Sequence, residues 1–236
     1  MASTFFGLHI GSSALSSFQV ATNTTANNIA NVKTTGYTRQ AATLQAKDAI
    51  NVTARYGSVG TGVTVTSIKQ QRDLYYDNKY WENNSCYGRY EQKLYYMEQI
   101  QNYFKDNGSS VKGFSTVFSQ MFSDLDTLRS KPSDKTVRNQ FISSAQSLCT
   151  YFNQMSDNLS KLQDDCNEEI KNNVDEINSI SEKISLLNKE INQIETGTGV
   201  EASSLRDERA NLIDSLSKIV NVSYNETEVQ NTYGDN

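Results

Sequence analysis

Side chains that could do chemistry are few in this chain, and their spacing assembles no catalytic or metal-binding set. There is one histidine, His9, and the three cysteines, Cys86, Cys149 and Cys166, form neither a CxxC pair nor a zinc-type spacing. A Ser-His-Asp or Cys-His nucleophile around His9 would need help from distant parts of the sequence. The glycine-rich stretch 57–62 lacks the strand-to-helix context and the Lys-Ser/Thr ending of a phosphate loop. We therefore expect no enzymatic activity, no cofactor, no metal and no small-molecule substrate.

A second group of residues, between positions 26 and 40, is suited to binding another protein. This segment contains several side-chain amides together with a glycine, a tyrosine and an arginine. Asparagine side chains bond locally to backbone groups, glycine permits a positive-φ turn, and tyrosine and arginine are enriched at interfaces. We expect a subunit contact made by Asn27, Asn28, Ile29, Asn31, Gly36, Tyr37 and Arg39.

The element that precedes this segment is predicted to be an assembly helix. Residues 1–32 contain no Asp, Glu, Lys or Arg. Apolar and small residues nevertheless recur there in alternating steps of three and four, which is a heptad pattern. A disordered polar tail would fit the composition of this segment but not the spacing. We expect the helix to contact other copies through Leu8, Leu15, Phe18, Thr22, Thr25 and Ile29.

The first 32 residues do not read as a targeting or membrane segment. A cleavable signal peptide needs a positively charged start and an unbroken apolar run. A spanning helix needs about twenty predominantly apolar residues. Because serine, threonine and amide residues interrupt the segment throughout, we expect no membrane insertion.

The composition favours long helices. Only 36% of the 236 residues are hydrophobic, the formal net charge is −5, and the single proline is Pro132. A chain short of apolar residues is better suited to an extended rod than to a globule, and a single proline permits long uninterrupted helices. No basic footprint for nucleic acid is present. We expect a mainly α fold, an elongated antiparallel helical bundle with long coiled-coil-like helices and a short β-hairpin in an extended connector.

The elements are expected in four consecutive regions. These are an N-terminal assembly helix at 1–35, a connector with a hairpin at 36–72, a helical bundle at 73–222 and the start of a following domain at 223–236. Apolar periodicity predicts helices within the bundle, and alternation predicts a strand at its end. The helices are expected from Asp73 to a turn at Asn107–Ser110, at Phe114–Arg129, at Lys135–Glu195 and at Ser203–Ile219, and the strand at Val220–Ser223.

The helix that begins at Asp73 has an aromatic-rich side that we expect to pack in the seam of the bundle. Tyrosine has a wide apolar body and a polar tip, which suits such a seam, and the few convergent polar groups of a ligand pocket are missing. The side comprises Leu74, Tyr80, Trp81, Tyr87, Tyr90, Leu94, Met97, Ile100 and Phe104. For the helix at 203–219 we expect a core face of Leu205, Leu212, Leu216 and Ile219.

The segment Ala26–Tyr37, which contains Ala-Asn-Asn-Ile-Ala-Asn and Thr-x-Gly-Tyr, resembles the N-terminal signature of bacterial flagellar rod, hook and hook-associated axial proteins. Three further segments are similar to the hook-associated protein 1 (FlgK) family in particular: Thr38–Gln40, Pro132–Asp134 with Arg138, and Leu205–Val222. The resemblance implies a structural protein that joins the hook to the filament. It also implies export by the flagellar type III apparatus without a cleaved signal peptide, and an extracellular location in the flagellum.

The resemblance implies partners as well. These are copies of the chain itself, the hook protein, a second junction protein and the export apparatus. It further implies that the chain ends before the outer domains and the returning C-terminal helix of the family, as a truncated chain or a shortened paralogue would. The first helix would then lack its partner within the subunit and be loosely held. Two alternatives stay open, another axial protein of the rod or hook and a non-catalytic coiled-coil interaction module.

Overall fold

The computed structural model describes residues 5–51, 57–106 and 112–227, and these residues are mainly α-helical. The helices are α1 (Phe6–Ala30), α2 (Leu74–Tyr103), α3 (Phe114–Ser130), α4 (Lys135–Thr198) and α5 (Ser203–Ile219); the strands are β1 (Gln40–Ala46), β2 (Ile50–Asn51), β3 (Ser58–Val59) and β4 (Val63–Gln70). The predicted class, mainly α with a short hairpin, is confirmed. The turn predicted at Asn107–Ser110 lies outside the described residues.

The chain divides into two compact units. The first consists of Met1–Ser85 and Asn178–Asn236, and the second of Cys86–Ile177. Both unit boundaries therefore fall inside helices, one within α2 and one within α4. The division expected from the sequence, with boundaries after 35, 72 and 222, stays a prediction.

In the first unit, α1 lies against an antiparallel β-ribbon. Strand β1 pairs with β4 from Gln40 opposite Gln70 to Ala46 opposite Val63, and the register shifts between Thr43 and Leu44. The short strands β2 and β3, which lie between β1 and β4 in the sequence, pair with each other. Helix α1 packs against both β1 and β4. The ribbon thus joins the end of α1 to the start of α2.

The core of the first unit is formed by α5 together with the parts of α2 and α4 that belong to this unit. Its buried apolar residues are Trp81, Ile180, Leu187, Ile191, Ala202, Ala210 and Ile213. Trp81 is only 2% exposed, and its indole nitrogen donates a hydrogen bond of 2.6 Å to Asp214. Ile180, Leu187 and Ile191 of α4 recur in steps of seven and four, so they lie on one side of the helix and form its part of this core.

Two expectations for the end of the first unit are wrong. The most buried face of α5 consists of Asp207, Ala210, Ile213 and Ser217, whereas the predicted leucine face is only half-buried. The reason is that α5 has polar partners in α2 and in the β-ribbon, which bond to its small and acidic residues. The strand predicted at Val220–Ser223 is absent. Val220 is extended, but no neighbouring strand pairs with this segment among the described residues.

The second unit contains the remainder of α2, the whole of α3 and the first part of α4. Helices α3 and α4 are joined by a four-residue turn, and ring contacts connect Phe114 of α3 to Tyr151 and Phe152 of α4. Helix α2 meets α4 through Glu169, which accepts hydrogen bonds from Gln92, at 2.6 Å, and from the Tyr96 hydroxyl.

The expected packing side of α2 is also wrong. Of its nine predicted members, Trp81 is buried and Ile100 is half-buried, whereas the other seven are exposed. The helix packs instead through a stripe of mostly small or polar residues: Trp81, Asn84, Ser85, Gly88, Gln92 and Tyr96. Hydrogen bonds of Asn84 and Gln92 take the place of apolar contacts on this stripe.

Candidate assembly site

Helix α1 exposes its largest apolar side chains, and the two residues that it buries fully carry hydroxyl groups. Leu8, Leu15, Phe18 and Ile29 are between 59% and 71% exposed. We call these four residues the α1 ridge. The buried residues of α1 are instead Ser17 and Thr24. The arrangement is the reverse of an ordinary amphipathic helix on a globular protein.

Four hydroxyl groups of α1 are satisfied by hydrogen bonds within the helix itself. Thr22, Thr24 and Thr25 donate to the carbonyl oxygens four residues earlier, at 2.8, 3.0 and 2.9 Å. Ser13 donates to the carbonyl of Ile10 at 2.9 Å. A polar group that is buried without a partner costs free energy. Because Thr22 and Thr25 already have partners, the part of the exposed side on which these two residues lie can be covered by another protein without that cost.

The inner side of α1 contacts the β-ribbon closely because its residues are small. The Ser17 hydroxyl donates to the carbonyl oxygen of Val63 at 3.2 Å. Gly62, with φ of +108°, lies so near the helix that an added Cβ would be 2.2 Å from the Ser13 hydroxyl oxygen. This contact explains the glycine at the start of β4 and fixes the inner side of the helix on the ribbon.

The side-chain amide of Asn28 connects the end of α1 to the beginning of β1. Its nitrogen donates to the carbonyl oxygen of Gln40 at 2.8 Å, and its oxygen accepts from the backbone nitrogen of Gln40 at 2.9 Å. The two bonds reproduce the exchange made by a hydrogen-bonded residue pair in an antiparallel sheet. Asn28 therefore acts as an extra sheet partner for the first residue of β1.

The neighbouring signature residues extend this network. The Tyr37 hydroxyl donates to the Asn28 oxygen at 2.8 Å and accepts from the Asn27 amide at 3.1 Å. Asn31 donates to the backbone oxygen of Asn27 at 3.0 Å and to its side-chain oxygen at 2.9 Å. As expected, Asn28 and Asn31 satisfy backbone groups where the chain leaves the helix. The side chain of Asn27 bonds instead to the side chains of Tyr37 and Asn31.

Gly36 has the positive φ expected of it, +76°, and it also touches α5. A Cβ at this position would be 1.7 Å from the side-chain oxygen of Asn211. Beside it, the carboxylate of Asp207 accepts from the backbone nitrogen of Thr38 at 3.3 Å and from the side-chain amide of Gln70 at 2.8 Å. Asp207 thus bonds to the chain just before β1 and to the last residue of β4. Sequence reasoning did not assign Asp207 to the site. The sequence feature that could have indicated this role is the position of the acidic residue. It lies three positions before Ala210 and therefore on the same, buried side of α5.

Several predicted site residues line one groove of about 610 Å³ between α1 and β1. Its apolar lining comes from Ala21, Ile29, Val32, Ala41 and Ala42, and its polar lining includes Thr25, Asn28, Asn31, Tyr37 and Arg39. The side chain of Arg39 is exposed and makes no hydrogen bond or ion pair with any residue that the structure describes. We call this feature the signature groove. Leu8, Leu15, Phe18 and Thr22 lie elsewhere along α1, and Gly36 lies on the α5 side.

The segment after α5 is held by a charged cluster. Arg206 contacts Glu195 at 2.6 Å and Glu226 at 2.8 Å, and Arg209 contacts Glu226 at 3.0 Å. Burial acts to raise the pKa of Glu226, but the hydrogen bond from Arg209 and the charges of both arginines hold that pKa below its ordinary value. The ring of Tyr224 packs edge-on against Trp81.

Neither a metal centre nor a spanning helix is found in the described parts of the chain. No three residues of His, Cys, Asp or Glu there could hold an ion together. No helix among them is both long and apolar enough to cross a bilayer.

Comparison with known proteins identifies two family models. Residues 97–233 match the flagellar hook-associated protein FlgK helical domain. Residues 8–38 match the flagella basal body rod protein family. The second match covers most of α1 and the predicted signature, and the first covers α3, α4, α5 and the end of α2.

Curated relatives agree with the first match. Flagellar hook-associated protein 1 of Bacillus subtilis is 34% identical over 234 residues, which are 96% of this chain and 46% of the relative. The proteins of the same name from Salmonella typhimurium and Escherichia coli are 33% and 32% identical, over 89% of this chain. They are covered to 37% and 38% of their own length. The chain thus spans less than half the length of these relatives.

Proposed function

The chain belongs to the flagellar hook-associated protein family of the FlgK helical domain, and from that premise we propose that it joins the hook of a bacterial flagellum to the filament. Its role within the flagellar axis is structural. Assembly proceeds through α1, which contacts other axial subunits along the α1 ridge and at the signature groove. The residues proposed to make these contacts are Leu8, Leu15, Phe18, Thr22, Thr25, Asn27, Asn28, Ile29, Asn31, Gly36, Tyr37 and Arg39.

The observation that supports this proposal is the exposed apolar ridge of α1. Exposed apolar patches on soluble proteins mark interaction sites. Here the exposed ridge is apolar and uncharged, while the serine and threonine hydroxyls described above are already satisfied. Such a surface is suited to close packing against similar helices.

The partners follow from the family and remain part of the proposal. They are further copies of the chain, the hook protein and a second junction protein. We also propose that the chain reaches the outside of the cell through the flagellar type III apparatus, without removal of a signal peptide. The absence of charged side chains from residues 1–32 is compatible with that route.

A second candidate, a rod protein, is favoured by one observation, the match of residues 8–38 to the rod protein family. That match covers 31 residues, whereas the match to the hook-associated helical domain covers 137. The longer match includes α5, whose Asp207 bonds to Thr38 and to Gln70 of the β-ribbon. A coiled-coil module would account for α4 but not for the network around Asn28. We therefore propose the junction rather than the rod.

The proposal is tested by changing the α1 ridge in the bacterium that carries the gene. Leu15→Gln with Phe18→Gln should abolish filament attachment, counted by electron microscopy, and motility in soft agar. Ser16→Gln with Asn23→Gln, also exposed but away from the ridge, serves as the matched control and should leave both unchanged. Circular dichroism of the purified variants checks that helix content is kept. Normal filaments on cells with the ridge variant would refute the assembly role of α1.

A further inference from the structure

The exposed side of α2 in the second unit has the spacing of a coiled-coil seam. Tyr90, Leu94 and Met97 follow one another in steps of four and three, and Phe104, the first residue after α2, lies seven positions further along. They are between 54% and 64% exposed. We call these four residues the α2 seam. Positions a and d of a heptad repeat bury such residues against a second helix, yet the helix packs on α4 through a different stripe.

The charges beside the seam indicate the orientation of that second helix. With Leu94 at position a, Lys93 occupies position g, and Glu91 and Glu98 occupy position e. In a parallel pair of identical helices, a g residue faces the e residue five positions later in the other helix, so Lys93 would face Glu98. An antiparallel pair would instead bring Glu91 near Glu98, and like charges repel. Among the charged residues that lie within α2, which ends at Tyr103, the parallel arrangement is therefore the self-complementary one.

Two further observations fit a parallel pair. Lys93 and Glu98 are exposed and form no ion pair with any described residue of their own chain. Gln101 lies at the next a position, and a polar residue at one a position specifies register in such pairs. The helix is already held in place by Gln92 and Tyr96, so pairing does not require it to fold first.

We propose that the α2 seam binds the α2 seam of a second copy of this chain, in parallel and in register. The seam, from Tyr90 to Phe104, is about 21 Å long, from the rise per residue of an α-helix. An interface of this length is small, so we expect a reversible dimer rather than an obligate one. The proposal depends on α2 alone and goes beyond the role assigned to α1.

Disulfide trapping tests the pairing directly on the full chain. Cys86, Cys149 and Cys166 are first replaced by serine, and a single cysteine is then introduced by Leu94→Cys. In a parallel dimer the two new thiols meet at the same a layer, so mild oxidation should give a covalent dimer. Asn102→Cys, exposed on α2 but outside the seam, is the control and should stay monomeric. Equal crosslinking of the two variants would overturn the proposal.

Charge exchange tests the orientation. Lys93→Glu and Glu98→Lys should each weaken dimerisation roughly three- to tenfold, since each creates repulsion at two symmetric positions. The double variant should restore the original affinity. Analytical ultracentrifugation at low salt measures these constants, with Leu15→Gln and Phe18→Gln present in every sample so that association through α1 does not contribute. A chain that stays monomeric throughout, or a double variant that is not restored, would refute the parallel pair.

Discussion

Replacing Asn28 with alanine should open the junction between α1 and β1. The amide of Asn28 makes three hydrogen bonds, two with the backbone of Gln40 and one with the Tyr37 hydroxyl, between 2.8 and 2.9 Å long. Alanine would leave the nitrogen and the carbonyl oxygen of Gln40 without these partners. The first residue of β1 would then be paired only with β4.

The expected effect can be worked from these bonds. A typical intramolecular hydrogen bond contributes about 0.5–1.5 kcal/mol net, and leaving a buried partner unsatisfied costs about 1–3 kcal/mol. The site is only partly buried, so water recovers some of this loss. Alanine also favours the helix by up to about 0.7 kcal/mol relative to asparagine. We expect local opening to become easier by about 1–3 kcal/mol, which corresponds to roughly five- to 150-fold faster amide exchange.

Hydrogen exchange of the Gln40 amide is the appropriate assay because it reports opening at this junction alone. Asn23→Ala provides a matched control. Asn23 is an exposed asparagine of the same helix, and its side chain makes no hydrogen bond with any described residue. Its gain in helix propensity should be similar, without the loss of contacts. If the Gln40 amide exchanged at the same rate in both variants, the structural role assigned to Asn28 would be wrong.

Three other predictions concern the contacts around the β-ribbon and the segment after α5. Gly36→Ala should destabilise the first unit by about 1–3 kcal/mol in urea unfolding, because φ is positive there and the new Cβ would collide with α5. Gly7 lies in open space within a helix, so Gly7→Ala should instead stabilise the unit by up to about 1 kcal/mol. Asp207→Ala should cost about 1–3 kcal/mol by the same measurement, since the Thr38 nitrogen loses its acceptor and the Gln70 amide keeps only the Ser203 carbonyl. Exposed Glu208→Ala should change stability by less than about 0.5 kcal/mol. The lowered pKa of Glu226 means that its contacts stabilise the chain at pH values above the ordinary glutamate pKa and are lost as the pH falls through the lowered pKa. Fluorescence of the single tryptophan should therefore change on acidification, and Glu226→Gln should reduce that change.

Local signals in the sequence predicted most helix boundaries well. Helix α5 begins and ends at the predicted residues, and α3 and α4 begin where expected. The end of α4 was placed at Glu195, but the helix continues to Thr198. Two glycines follow Glu195, and only Gly199 takes the positive φ, +66°, that ends the helix. The helix tolerates Gly197, and the sequence does not show which of the two glycines will terminate it.

Periodicity predicted which residues lie on one side of α2 but not which side faces the rest of the unit. The aromatic stripe and the stripe containing Asn84 and Gln92 both recur at helical spacing. The polar stripe is inside because partners such as Ser217 and Glu169 satisfy its amides. Ser217 lies 133 residues from Asn84 in the sequence, and Glu169 lies 77 residues from Gln92. An apolar stripe indicates a surface that must be covered, but the covering partner need not belong to the same chain.

The candidate site was predictable to the extent that it is local. The amides of Asn28 and Asn31 act within 12 residues of their own position, and the positive φ of Gly36 follows from residue type. The contribution of Asp207 was not predictable, because it bonds to Thr38 across 169 residues. Whether the ridge and the groove contact other subunits stays a prediction.

The energetics of the α1 ridge favour assembly by several copies over pairing of two. Full burial of a leucine, isoleucine or phenylalanine side chain gains about 1.5–3 kcal/mol. Leu8, Leu15, Phe18 and Ile29 already have part of their surface covered, so burying the remainder would gain roughly 4–8 kcal/mol in total. Loss of translational and rotational freedom costs an estimated 4–15 kcal/mol, so a single contact of this kind leaves little or no net gain. A subunit that enters between two neighbours makes two sets of contacts but loses that freedom once. The ridge therefore stabilises a closed or stacked array far more than an isolated pair, and the chain can stay dispersed until such an array is available.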